Sequence, residues 1–235
     1  MKITAVVFVK KDSERIPGKN FRLFNGKPLF TIILERLDKM ECIESILVDS
    51  DSKEVLEFVA AHLKKGVAIE RPEELRGGLF SGNDLLINDL TFSDSEHFFL
   101  THCTNPCLTE ETMEKAIEKY FSVLPDHNSL FSVTRIQNRL YRSSGEPLGH
   151  VKGRLLRTQD LEPVLEENAC FFIFSKTSFL HSGNDRIGSR PFLFEVSSIE
   201  GVDIDYEDDF LLAELIDRNR ENFPQVFEKL NGKNR

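Results

Sequence analysis

The chain of 235 residues has no tryptophan, three methionines and four cysteines. No apolar run approaches the ~20 residues that a bilayer-spanning helix needs, so a spanning helix is excluded. The cysteines (Cys42, Cys103, Cys107 and Cys170) are too few for a disulfide framework, and none forms a Cys-x-x-Cys pair of zinc-binding type. Cys103 and Cys107 read as buried thiols, and the cysteine usage as that of a reducing, cytoplasmic protein. Positive charge is in deficit, 30 Lys and Arg against 39 Asp and Glu for a net −9, which excludes the broad basic face of a general nucleic-acid binder. Gly-x-x-x-x-Gly-Lys-Ser/Thr and Gly-x-Gly-x-x-Gly are both missing, which disfavours a Walker loop and a dinucleotide fingerprint. The opening segment through Val9 is apolar only briefly. It runs into Lys10-Lys11-Asp12 without a small-residue cleavage site, so it reads as a first strand and not as a signal peptide.

What is present is an alternation of two hydrophobic periods. Ile3 to Val9 is a nearly continuous β-branched run, as in a strand covered on both faces. Leu29, Ile32, Ile33, Leu37 and Met40 then recur at helical spacing. Ser45 to Val48 reads as a strand. Asp51 with Glu54 reads as a capping box opening a helix through Leu63, with Gly66 as its stop. Val67 to Glu70 and Phe98 to Thr101 read as strands, and Leu85 to Leu90 and Glu110 to Val123 as helices. This βαβα order predicts a mostly parallel sheet between two helical layers. Leu130 to Val133, Leu140 to Arg142 and Phe171 to Phe174 instead read as strands without helices between them. Residues from about 135 to 175 are therefore expected to form a small antiparallel excursion, serving as a dimerisation arm within one domain spanning 1–235. Val202 to Asp205 is expected to return to a buried strand, followed by a helix from Tyr206 to Ile216. The last dozen residues are polar and expected to form a loosely held tail.

Lys10 to Lys27 carries the chemistry. It holds six basic residues (Lys10, Lys11, Arg15, Lys19, Arg22, Lys27) against two acids (Asp12, Glu14), a local +4 in an acidic chain. The loop leaving the carboxyl end of the first strand is where open α/β sheets bind ligands. A cationic loop there suits a polyphosphate, with lysine as point charge and arginine as fork. Near the other end, Asp203 and Asp205 stand two residues apart, the spacing that puts both carboxylates on one face of a strand and suits Mg²⁺. Helix capping by Asp205 is the competing reading. His102 follows a buried strand and should reach the ligand edge, either as a contact to base or sugar or as a neutral structural residue. Asp49 and Asp51 are divided between helix capping and a ribose or substrate contact.

Lys10-Lys11-Asp12-Ser13-Glu14-Arg15-Ile16-Pro17-Gly18-Lys19-Asn20, followed by Gly26-Lys27-Pro28-Leu29, resembles the A-R-G-G-S-K-R-I-P-x-K-N and G-K-P-L signature of the acylneuraminate cytidylyltransferases (CMP-sialic acid synthetases). Further pieces follow in order. Val48 to Asp51 is similar to V-S-T-D, Glu70-Arg71-Pro72 to R-P-x-x-L, and Thr104-Asn105-Pro106 to T-S-P. Arg157-Thr158-Gln159-Asp160-Leu161 is similar to R-R-Q-D-L, and Val202 to Asp205 with Asp208-Asp209-Phe210 to V-D-I-D…D-F. The departures are Lys10 for Arg, Lys11-Asp12 for Gly-Gly, Glu14 for Lys, His102 for Gln, Leu108 for Arg and Thr158 for Arg.

The resemblance implies a three-layer Rossmann-like nucleotidyltransferase fold, a homodimer, and transfer of CMP from CTP to the anomeric hydroxyl of a sialic-acid-like nine-carbon α-keto acid sugar. Lys10, Ser13, Arg15 and Lys19 would hold phosphates and Asn20 the nucleotide. Arg71 would meet cytosine or triphosphate. His102, Thr104, Arg157, Gln159 and Asp160 would meet the sugar, with Arg139 and Arg142 reaching it across a dimer. Asp203 and Asp205 would hold Mg²⁺, with Lys10, Arg15, Lys19 and Asp205 as the catalytic set. Three rivals remain at this point: a KDO-type or other sugar nucleotidyltransferase, a glycosyltransferase with its own Asp-x-Asp motif, and a catalytically impaired nucleotide or sugar binder.

Overall fold

A computed structural model describes residues 2–77, 80–220 and 222; the expected tail lies outside them. The elements in order are β1 (Ile3–Val9), β2 (Leu23–Phe24), β3 (Lys27–Pro28), α1 (Leu29–Lys39), β4 (Ile43–Ser50), α2 (Lys53–His62), β5 (Gly66–Glu70), α3 (Gly82–Asp89) and β6 (His97–His102). They continue with α4 (Glu110–Val123), β7 (Ser129–Ile136), β8 (Leu140–Tyr141), β9 (Pro147–Leu148), β10 (Val164–Ser175), α5 (Lys176–His181), β11 (Pro191–Glu195) and α6 (Glu207–Arg220).

Seven strands form one sheet in the order β11-β7-β10-β6-β1-β4-β5. β1 pairs in parallel with β4 and β6, β4 with β5, and β7 with β11. Only β10 runs antiparallel, against both β6 and β7. Because β1 sits inside the sheet, both its faces must be apolar, and Ile3, Ala5, Val6, Val7 and Val9 are fully buried. Val7 and Val9 pack with Phe30, Ile33 and Leu37 of α1, Val55 and Val59 of α2, and Met113 and Ile117 of α4. Val6 faces the opposite layer, with Leu86 of α3, Phe174 of β10 and Phe179 of α5. A smaller cluster of Ile16, Phe24, Leu29, Ile204, Phe210 and Ala213 fastens the loop after β1 and helix α6 over one end of the sheet.

Several expectations need correction. Asp51 opens no capping box: Ser52 is the N-cap of α2 without a side-chain bond, and Asp51 Oδ1 accepts the Lys11 N–H at 2.7 Å. The capping box present is Ser81 with Asp84, at the start of α3. Gly66 begins β5 and does not end α2. A Cβ there would lie 2.7 Å from Val59 Cγ1, so the close approach of helix to strand requires glycine. The excursion is narrower than 135–175, because Val164–Ser175 is a central strand of the main sheet. What remains outside the sheet, residues 137–163, carries the short β8–β9 ribbon. Val202 to Asp205 is irregular and not a strand. Helix α5 and strand β11 went unseen in the sequence.

At the β4–β5 edge, Asp49 (0% exposed) pairs with Arg71 (1% exposed). The Asp49 carboxyl also lies beside that of Asp89, the last residue of α3. Burial, then the neighbouring Asp49, push Asp89 up to about 8, so it carries a proton at neutral pH. Burial raises the Asp49 carboxyl as well, and Arg71 opposes that rise. An unfolded aspartate titrates near ~4. The unfolded state therefore loses this proton first, and the stability contributed by Asp89 is full below that pH and lost as the pH rises toward 8. An Asp89→Asn variant mimics the protonated acid. Its melting temperature relative to the parent is expected to rise steadily from pH 5 to pH 8 in differential scanning fluorimetry. A pH-independent difference would refute the proton assignment.

Candidate functional site

Strand β1 delivers the chain at the carboxyl rim of the sheet, where Lys10 to Gly18 form an open loop. Gly18, at φ +65°, turns the chain into a short 3₁₀ turn over Lys19–Phe21. That turn buries Lys19 and Asn20, each 7% exposed, whereas Lys10, Lys11 and Arg15 stay exposed. Asn20 Nδ2 donates to the Lys10 carbonyl at 2.8 Å and so closes the loop on itself. Cys103 Sγ in turn donates to Asn20 Oδ1 at 3.5 Å. Lys10 enters none of the ion pairs among the described residues, and its ammonium is available to a ligand.

The opposing wall comes from residues 202–205. Ile204 is fully buried, a burial worth about 2 kcal/mol, and it sends Asp203 and Asp205 to the other side of the extended segment. The alternation expected of a strand is therefore kept without a ladder. Instead, Ile204 N–H donates to the Thr104 carbonyl at 2.9 Å and Asn105 Nδ2 donates to the Val202 carbonyl at 3.4 Å. Asp209, in the first turn of α6, accepts the N–H groups of Asp205 (3.0 Å) and Tyr206 (2.8 Å). Asp209, and not Asp205, therefore meets the helix start.

The two walls touch. Arg15 Nη1 lies 2.6 Å from Asp205 Oδ2, and Lys19 Nζ lies 3.9 Å from Asp205 Oδ1 while donating to the Ile204 carbonyl. Arg22 adds a clasp on Glu207 at 2.6 and 2.7 Å. Burial lowers Lys19, and Asp203 and Asp205 oppose this. Burial raises Asp203, whose Oδ1 is buried without a hydrogen-bond partner. An orphaned carboxylate oxygen beside a second carboxylate is a hard-oxygen donor set that a small divalent cation would complete.

The other expected residues divide. Thr104 belongs to the site through its carbonyl. His102 is at the rim, its ring 6.5 Å from that of Phe8; burial, then the charge of Arg186, push it down to about 4, so it is neutral. Ser13 is half-buried in the loop. Arg71 is not presented to the loop, because its guanidinium is committed to Asp49. Arg157, Gln159 and Asp160 lie on the excursion. Arg157 binds Asp160 at 2.7 and 3.0 Å, and the Gln159 carbonyl accepts from Gln137 at 3.1 Å. Sequence reasoning missed the positioning roles of Asp51, Asn105 and Asp209.

A sequence model of the family described as "Cytidylyltransferase" matches residues 4–229. A CMP-N,N'-diacetyllegionaminic acid synthase of Legionella pneumophila is 30% identical, over 94% of this chain and 99% of its own. An N-acylneuraminate cytidylyltransferase of Streptococcus agalactiae serotype V is 26% identical over 90% of this chain, which spans only 52% of that relative. Among solved structures, a CMP:2-keto-3-deoxy-manno-octonic acid synthetase complexed with CTP superposes with a TM-score of 0.70 at 14% identity, covering 94% of this chain and 100% of its own.

Replacing Lys19 by Ala would remove a buried cation from beside half-buried Asp203 and Asp205, with Arg15 remaining on Asp205, and would leave the Ile204 carbonyl without its donor. It is expected to cost about 3 kcal/mol in urea denaturation. Replacing exposed Lys10 by Ala is expected to cost less than about 0.5 kcal/mol.

Proposed function

Because the chain belongs to the cytidylyltransferase family, we propose that it transfers CMP from CTP to the anomeric hydroxyl of a nine-carbon α-keto acid sugar, with release of pyrophosphate. The observation that carries this reading is the meeting of the Lys10–Lys19 loop with Asp205 at one rim of the sheet, through the 2.6 Å Arg15–Asp205 contact. A glycosyltransferase releases no pyrophosphate and has no need of a cationic loop facing its acidic pair. The relatives named for legionaminic, neuraminic and pseudaminic acids support a nine-carbon sugar over the eight-carbon KDO type.

In this reaction the sugar oxygen forms a bond to the α-phosphorus, the bond from α-phosphorus to the bridging oxygen breaks, pyrophosphate leaves with the electron pair, and the hydroxyl proton passes to solvent. Little covalent help is needed; position and charge decide the rate. Lys10 and Arg15, exposed at the loop, reach the β- and γ-phosphates, and the Ser13 hydroxyl adds a donor. Lys19 is fixed below them by Ile204 and Asp205 and supplies a charge that needs no rearrangement when the transition state forms. Asn20 keeps the loop in register through the Lys10 carbonyl. Asp203 and Asp205 would hold Mg²⁺, whose chemistry there is neutralisation of phosphate charge and lowering of the pKa of a bound hydroxyl. Arg15 occupies Asp205 in the free protein and would turn to phosphate when nucleotide enters.

We read the protein as a cytoplasmic homodimer. Four unpaired cysteines support a reducing compartment. The excursion exposes Tyr141, Val151 and Leu155, the last 88% exposed, an apolar surface suited to a second copy. Across such a dimer Arg157, Gln159 and Asp160 would approach the partner's sugar.

Pyrophosphate release should depend on CTP, Mg²⁺ and one member of a panel of eight- and nine-carbon keto acid sugars, as measured by a coupled phosphate assay. Asp205→Ala is expected to abolish turnover, and Lys10→Ala to lower kcat about 100-fold. Undiminished turnover in Asp205→Ala would overturn the metal assignment. Tight CTP binding without release in the wild type would point to the impaired binder, for which Lys11, Asp12 and Glu14 in the loop speak.

A further inference from the structure

A second cation stands at the same rim on the other face of the sheet. Arg186 lies in the turn between α5 and β11, where Gly188 N–H donates to the Asp185 carbonyl at 3.2 Å. Its guanidinium carbon is 4.2 Å from the ring centre of Phe172 in β10, and one Nη donates to Asn83 Oδ1 at 3.0 Å. Its Nε is buried with no partner. A Cβ on Gly82 would come within 3.5 Å of the same Nη and of Phe8 Cε2, so Arg186 sits against the end of β1. His102, at the end of β6, feels its charge.

The electrostatic situation of half-buried Arg186 differs from that of the buried cations Lys19 and Arg71. Arg71 has Asp49, and Lys19 has Ile204 and Asp205. Arg186 joins no ion pair among the described residues. Asp185 and exposed Glu167 act on it only through the field. A guanidinium desolvated against a phenyl face with one amide partner is costly to hold, and an arriving anion offsets that cost. Its planar fork matches the two oxygens of a carboxylate. The triphosphate already has Lys10, Arg15 and Lys19 on the opposite flank of β1. The other substrate has one negative group, and this flank has one unpaired fork.

We propose that Arg186 binds the carboxylate of the acid sugar and, with Asn83, sets its anomeric hydroxyl over the seam between β1 and β6. This rests on the cytidylyltransferase reading above.

The test compares wild type with Arg186→Met, which keeps the stem on Phe172, and with Arg186→Lys, which keeps charge without the fork. The substrates are CTP, the acid sugar that the wild type turns over, and its carboxamide. Arg186→Met is expected to raise KM for the acid sugar about 30-fold, leave KM for CTP within about twofold, and erase the wild type's preference for acid over carboxamide. Arg186→Lys should fall between. An equal rise in both KM values, or an undiminished preference for the acid, overturns the assignment. If Arg186→Met does not fold, as judged by CTP binding and melting, Arg186→Lys decides alone: a KM for the acid sugar within twofold of wild type overturns it. Absence of pyrophosphate release by the wild type with every acid sugar defeats the cytidylyltransferase reading itself, and this assignment with it. Normal wild-type turnover with an unchanged Arg186→Met removes only the arginine.

Discussion

The structure depends on one buried ammonium. Lys19 reaches from the first loop to the Ile204 carbonyl and to Asp205, holding two stretches 185 residues apart in sequence against each other. Without it, Asp203 and Asp205 would lose a cation that offsets their mutual repulsion, leaving Arg15 on Asp205. With it, the acidic segment is kept extended although no neighbouring strand offers a ladder. Everything proposed for phosphate binding follows from that bridge, because it fixes both the depth of the cationic loop and the direction of the carboxylates.

The apolar layers explain why the bridge forms where it does. β1 is buried on both faces, so its exit point is fixed by packing on either side, and the loop that follows can be polar and irregular at little risk to the fold. The third cluster then draws Ile16 and Ile204 together. Two isoleucines set inside charged stretches act as anchors, leaving Arg15 and Asp205 to meet at the rim.

Much of this was legible in the residues themselves. The central strands announced themselves by continuous apolar runs, and α4 agrees with its expected bounds because its helical period is unbroken. The loop and the Asp pair were visible as charge against the trend of the chain. What could not be read were partnerships fixed by tertiary approach. Asp51 satisfies a loop N–H and not its own helix. Arg71 turns inward to Asp49, which no local pattern signals. Val202 to Asp205 has the alternation of a strand yet lacks a neighbour to pair with. Arg186 passes for an ordinary turn residue, since its partner Asn83 is 103 positions away.

The separation of the two walls along the chain bears on biogenesis. Arg15 and Asp205 are 190 residues apart, so a nascent polypeptide can build β1, β4, β5 and β6 long before its ligand-binding rim exists. Until α6 and the segment before it dock, the basic loop stays uncompensated and exposed. The phosphate site proposed at this rim would therefore form only once residues 202–220 have been made and docked on the loop.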